Sequence, residues 1–179
     1  MTYHSESHDF TDKRAGYERL AKQLHGLLAG ETDTIANAAN TAALIFDALP
    51  EVSWAGFYFL RMGLRRGPLA EPDGGELVVG PFQGKPACVR IALGRGVCGT
   101  AAARRETIIV PDVNAFPGHI ACDAASQSEV VVPLIAAGRL VGVLDLDSPR
   151  LARFDEVDAR GLERLAELFV QASRLEELL

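Results

Sequence analysis

Apolar residues recur at helical spacing twice before the chain changes character. Between Thr11 and Glu31, Tyr17, Leu20, Leu24, Leu27 and Leu28 follow one another at three- and four-residue steps, and Gly30 stands where a C-terminal cap belongs. A second stripe, Ile35, Ala39, Ala42, Ile45, Phe46 and Leu49, predicts another helix, which Pro50 ends. β-Branched and aromatic runs then take over in "VSWAGFYFLRM", "ELVVGPF", "CVRIAL" and "TIIVPDV". "EVVVPLIAAGRLVGVLDLDS" reads as two antiparallel strands joined at "AAGR", and "GRGVCGTAAARRE" as a short helix entered through glycines. The last stretch, from Asp155 as N-cap, predicts a helix with Leu162, Leu165, Phe169 and Leu175 on its buried side.

Two helices, a mostly antiparallel sheet and a closing helix make the class α+β, with helices gathered on one sheet face and the other face open for a ligand. The Gly/Pro-rich stretch 61–76 reads as a long hairpin loop, so residues 1–179 form one domain whose first ten residues are expected to be flexible. In "VGVLDLDS" the period of two sends Val141, Val143, Asp145 and Asp147 to one face and Leu140, Leu144 and Leu146 to the other. The leucines belong against the helices, so the aspartates look into the open side.

Composition narrows the function. A net charge of −6 leaves no broad basic surface for nucleic acid. No stretch approaches the roughly 20 apolar residues of a membrane helix, and the polar start "MTYHSESHDF" lacks signal-peptide character, so a soluble, cytoplasmic protein is expected. Three cysteines, Cys88, Cys98 and Cys122, do not suggest a secreted disulfide framework. A zinc site built from them and His119 lacks the close Cys pair of structural zinc, so no metal is expected.

Carboxylates two apart on a strand lie about 7 Å from each other and repel, which is tolerated where a cation or a shared proton compensates. Glu129 opens the strand that pairs with theirs, so three acids converge. Such a cluster can bind a substrate ammonium group, and it can keep one carboxyl protonated as a proton donor. Cys122 lies outside the apolar runs, in the loop leading to Glu129, where a nucleophilic thiol would sit beside that donor. Trp54 and Tyr58, four apart on one strand with Gly56 between them, share a face; they read either as core or as an aromatic wall. His119 reads as an exposed loop histidine.

The stretches "WAGFYF", "GPFQGKPACVRIALGRGVCGTAA", "IIVPDV", "FPGHIACDAASQSEVVVPL" and "GVLDLDS" resemble the free methionine-(R)-sulfoxide reductases, a family with the GAF fold. The resemblance implies reduction of free methionine-(R)-sulfoxide, with Cys122 attacking the sulfoxide and becoming a sulfenic acid. It makes Cys88 the resolving cysteine, Cys98 an alternative one, and thioredoxin the external reductant, with no bound cofactor. By the same resemblance Glu129, Asp145 and Asp147 bind the substrate amino group and assist protonation, Trp54 and Tyr58 wall the pocket, and the protein is a homodimer. Backbone N–H groups of the 114–128 loop are the candidates for the substrate carboxylate. The rival reading is a GAF-type sensor in which the same pocket holds a regulatory ligand without catalysis. The 61–76 loop is longer than the family pattern leads one to expect.

Overall fold

The computed structural model describes residues 9–62, 75–120 and 124–175. Two helices open it, α1 (Lys13–Leu28) and α2 (Thr34–Ala48). Each starts at an aspartate whose carboxylate accepts from the backbone N–H three residues on, Asp12 from Ala15 and Asp33 from Ala36. Strands β1 (Trp54–Arg61), β2 (Glu76–Gly84) and β3 (Arg90–Ala92) follow, then α3 (Gly96–Arg104), β4 (Ile108–Val110), β5 (Ser128–Ala136), β6 (Arg139–Ser148) and α4 (Glu156–Ala172). Asp155 caps α4 in a reciprocal box with Asp158.

The six strands form one antiparallel sheet in the order β3-β2-β1-β6-β5-β4. β5 and β6 are joined through Ala137 and Gly138, both at positive φ, the two-residue turn expected at "AAGR". β1 and β2 are antiparallel neighbours with Arg61 opposite Glu76, as a hairpin requires. Most of the expected long loop, 63–74, lies outside the described residues, as do residues 1–8. Phe10, at the near end of the first described segment, packs its ring edge-on against Tyr17 at 5.3 Å.

The sheet divides two cores. On one side α1, α2 and α4 bury Leu20, Leu24, Ile45, Leu162, Leu165 and Phe169 against Phe57, Phe59, Val130, Leu144 and Leu146. On the other side lie Trp54, Tyr58, Leu77, Val131 and Val143, and α3 packs here through Val97, Cys98, Ala101 and Ala102. The N- and C-terminal helices thus share one face, as expected, while the short α3 packs on the other and roofs part of the ligand side.

Two expectations change. The buried stripe of α2 is Thr34, Asn37, Ala38, Thr41, Ala42, Leu44, Ile45 and Ala48, while Ile35 is 51% exposed and Ala39 is exposed. Polar residues hold that face because Asn37 is needed there, its amide donating to the Ala172 carbonyl and to Ser173 Oγ where α4 ends. In β6 the simple alternation fails at one point. Ile135 pairs with Leu140 but Leu134 pairs with Gly142, so Val141 is an extra residue, a β-bulge. Val141 consequently joins the helix-side core with Leu144 and Leu146, and Leu140 joins the opposite core with Val143. Beyond the bulge the expected alternation holds as far as Asp147.

Candidate active site

Strands β5, β6 and β1 lie side by side, and their register builds the site. Glu129 pairs with Asp147, which pairs on its other side with Trp54; one step along, Asp145 lies between Val131 and Gly56. Directly opposed residues share a face, with Cβ atoms about 4.5–5.5 Å apart. Register alone thus brings three carboxylates and an indole to one spot on the side away from α1, α2 and α4. Tyr58 adds its ring two residues further along β1, stacked on Trp54 at 5.8 Å between centroids.

A pocket of about 540 Å³, counting the space at its mouth, opens over these residues. Its walls come from β1 (Trp54, Tyr58), the segment after β2 (Lys85, Pro86, Ala87), Ile91 of β3, the first turn of α3 (Gly96, Val97, Cys98), His119 and Ile120, Ser126, and the three acids. The aromatic wall is braced: Phe82 stacks on the outer side of Trp54 at 5.2 Å and 18°, and the indole N–H donates to the Lys85 carbonyl at 3.0 Å. Gly56 leaves room for this, since a Cβ there would run into the Phe82 side chain and stand 2.6 Å from the Trp54 ring.

Electrostatically the pocket floor is a place for protons. Glu129 is 6% and Asp145 5% exposed, while Asp147 is partly exposed nearer the mouth. Burial first, then the charges of Asp145 and Asp147, push the Glu129 carboxyl well above the usual carboxylate range. Burial and then Asp147 do the same to Asp145. Cys98, from the first turn of α3, donates its S–H to Glu129 Oε1 at 3.9 Å, and burial with the two acids raises its thiol pKa well above the ordinary value. His119 sets Nε2 3.6 Å from Glu129 Oε2, with 15% of its side chain exposed, and burial lowers its pKa.

The structure gathers Glu129, Asp145 and Asp147 on one face, as strand parity led one to expect, and brings Trp54, Tyr58 and Cys98 to the same pocket. Cys88, between β2 and β3, is partly buried against the pocket-side core and is not among the residues that line the pocket. Cys122 falls outside the described residues, but its described neighbours, His119 and Ile120 before it and Ser126 after it, all line the pocket. His119 corrects the sequence reading, because it belongs to the pocket rather than to an exposed loop. Lys85, Ser126 and Phe82 were missed. Their places depend on how loops close over the sheet, and the only signal for Phe82 was its strand position opposite Gly56.

A helix-backed antiparallel sheet with a ligand pocket on its far side defines a GAF domain, and the GAF domain family matches residues 35–172. Protein YtsP of Bacillus subtilis is 55% identical over 161 residues, covering 90% of this chain and 93% of that protein. The free methionine-R-sulfoxide reductase of Escherichia coli is 49% identical, with 86% of each chain covered. The crystal structure of free methionine-R-sulfoxide reductase from Neisseria meningitidis in complex with its substrate superposes with a TM-score of 0.82 at 45% identity, covering 95% of each chain. The chain belongs to the free methionine-R-sulfoxide reductase family of GAF domains.

Proposed function

We propose that this protein reduces free L-methionine-(R)-sulfoxide to methionine with its own thiols. The observation that carries the reading is the buried acid pair, Glu129 and Asp145, beside an aromatic wall, where burial and like charge favour the protonated carboxyl. A sulfoxide oxygen is a poor leaving group until it is protonated, and a neutral carboxyl next to the attacking thiol supplies that proton. Two of the relatives named above, from Escherichia coli and Neisseria meningitidis, carry this activity in their names.

In the reaction the substrate ammonium sits against the more exposed carboxylate of Asp147, and its side chain lies along Trp54 and Tyr58. The sulfur of Cys122 attacks the sulfoxide sulfur while the acid pair protonates the oxygen. The protonated oxygen passes from the substrate sulfur to the Cys122 sulfur as the transient bond between the two sulfurs opens, so methionine leaves and Cys122 is left as a sulfenic acid. The Cys88 thiol then displaces water from that sulfenic acid to form a disulfide, which the dithiol of thioredoxin reduces. Cys98 is poorly suited to that resolving step, because its buried, acid-flanked thiol resists ionisation. It serves instead as a donor that orients Glu129. The first-turn N–H groups of α3, which no side chain caps, and Lys85, which also lines the pocket, suit the substrate carboxylate.

Selectivity for the free amino acid follows from the same contact. A peptide-bound methionine sulfoxide has no ammonium group and would leave a desolvated carboxylate unpaired. The test is thioredoxin-dependent turnover of racemic free methionine sulfoxide with chiral analysis of the remainder. Wild type should consume only the R epimer, Cys122→Ser should consume neither, and Cys88→Ser should give about one turnover per chain before stalling. Absence of turnover of either epimer by the reduced wild-type protein would sink the reading.

A further inference from the structure

The pocket floor holds one feature that proton donation does not use up. Cys98 Sγ, a Glu129 oxygen and an Asp145 oxygen, from three different elements, lie within 4.8 Å of one another, and all three side chains are buried. Asp145 Oδ1 is buried and has no hydrogen-bond partner among the described residues. A buried carboxyl oxygen without a partner is costly, and it is a ready ligand position once a metal ion displaces the protons that the thiol and the acids hold in the metal-free pocket.

We propose that the reduced protein binds one thiophilic divalent cation of the zinc class through Cys98, Glu129 and Asp145, and that this ion excludes the substrate. The binding claim stands on the cluster geometry; the exclusion claim rests on the function proposed above. Around a tetrahedral zinc with Zn–S about 2.3 Å and Zn–O about 2.0 Å, sulfur and oxygen ligands stand about 3.5 Å apart. Cys98 Sγ and Glu129 Oε1 are already at 3.9 Å, so side-chain shifts on the order of 1 Å close the site. Three protein ligands leave a fourth position facing the pocket, as in open zinc sites. The site draws on Cys98 alone of the three cysteines, with strand carboxylates as its other ligands, which is why cysteine spacing along the sequence does not reveal it. A cation there would lie beside Asp147, where the substrate ammonium has to go, and occupancy by the two would be mutually exclusive.

The test uses the full-length, fully reduced protein and cobalt(II) as a spectroscopic stand-in for zinc, with zinc titration calorimetry alongside. One equivalent should bind, with a thiolate-to-cobalt charge-transfer band that is kept in Cys88→Ser and Cys122→Ser and lost in Cys98→Ser. Asp145→Asn should weaken binding at least tenfold. Free methionine should weaken the apparent affinity of wild type, a readout that needs no variant to fold. A wild-type protein without the band, a band that survives Cys98→Ser, or a band lost in Cys88→Ser would overturn the proposal. Reductase activity is assayed separately on metal-free enzyme, where added zinc should inhibit and a chelator should restore. Activity without cobalt binding removes the metal site and leaves the reductase; cobalt binding without activity does the reverse.

Discussion

Gly56 shows how much of the site rests on what a side chain would obstruct. Its missing Cβ lets Trp54 lie flat between Tyr58 and Phe82. Gly56→Ala should force the indole or Phe82 aside and cost about 1–3 kcal/mol, the range for overpacking. Thermal melts should show a Tm lower by several degrees, and steady-state kinetics a raised KM, since the displaced ring is the one expected to cover the substrate. The three acids were legible because strand parity and one hairpin fix their face, and so was the shared face of Trp54 and Tyr58. His119 was not. A loop histidine carries no periodicity, and only the fold brings its ring within 3.6 Å of Glu129.

Among elements, α1 and α4 are held together by a buried ionic knot. Asp158, fully buried, accepts from the Tyr17 hydroxyl at 3.0 Å, from Lys13, from Arg153 at 3.2 Å and from the Asp155 N–H at 3.0 Å. Asp158→Ala would strand Arg153, itself 8% exposed, and should cost about 3–5 kcal/mol in urea unfolding. The paired replacement Asp158→Leu with Arg153→Met should recover part of that loss, because it leaves no buried charge unpaired although the Tyr17 hydroxyl and the Asp155 N–H still lose their acceptor. Sequence patterning located all four helices and six strands, since each has its own period and punctuation. It misplaced two buried stripes for one reason. An apolar stripe has no place for Asn37 and Thr41, and the extra residue Val141 is invisible to a count of two. In both cases tertiary contacts, not composition, decide which side chain turns inward.

For the molecule as a whole, the pocket sets function against stability. Folding lifts the pKa values of Glu129 and Asp145 above those of the unfolded chain. Above the ordinary carboxylate pKa of about 4 the unfolded chain has released protons that the folded one still holds, so stability falls as pH rises. Tm should therefore decline as pH rises above that value. Asp145→Asn should flatten that decline and raise Tm near neutrality, while kcat/KM falls by about 10²–10⁴, the usual contribution of a positioned acid. Melts and kinetics on the same preparations check both arms.

The bulge at Val141 has a consequence for length change in this protein. A one-residue deletion elsewhere in β6 between the turn and Asp145 would rotate part of the strand by half a period and bury the wrong side chains. Loss of Val141 itself would restore regular pairing and leave Leu140, Val143 and both aspartates aimed as they are, at the cost of one buried valine from the helix-side core. That position is a slack link, through which lineages can shorten the hairpin by one residue without turning the pocket inside out.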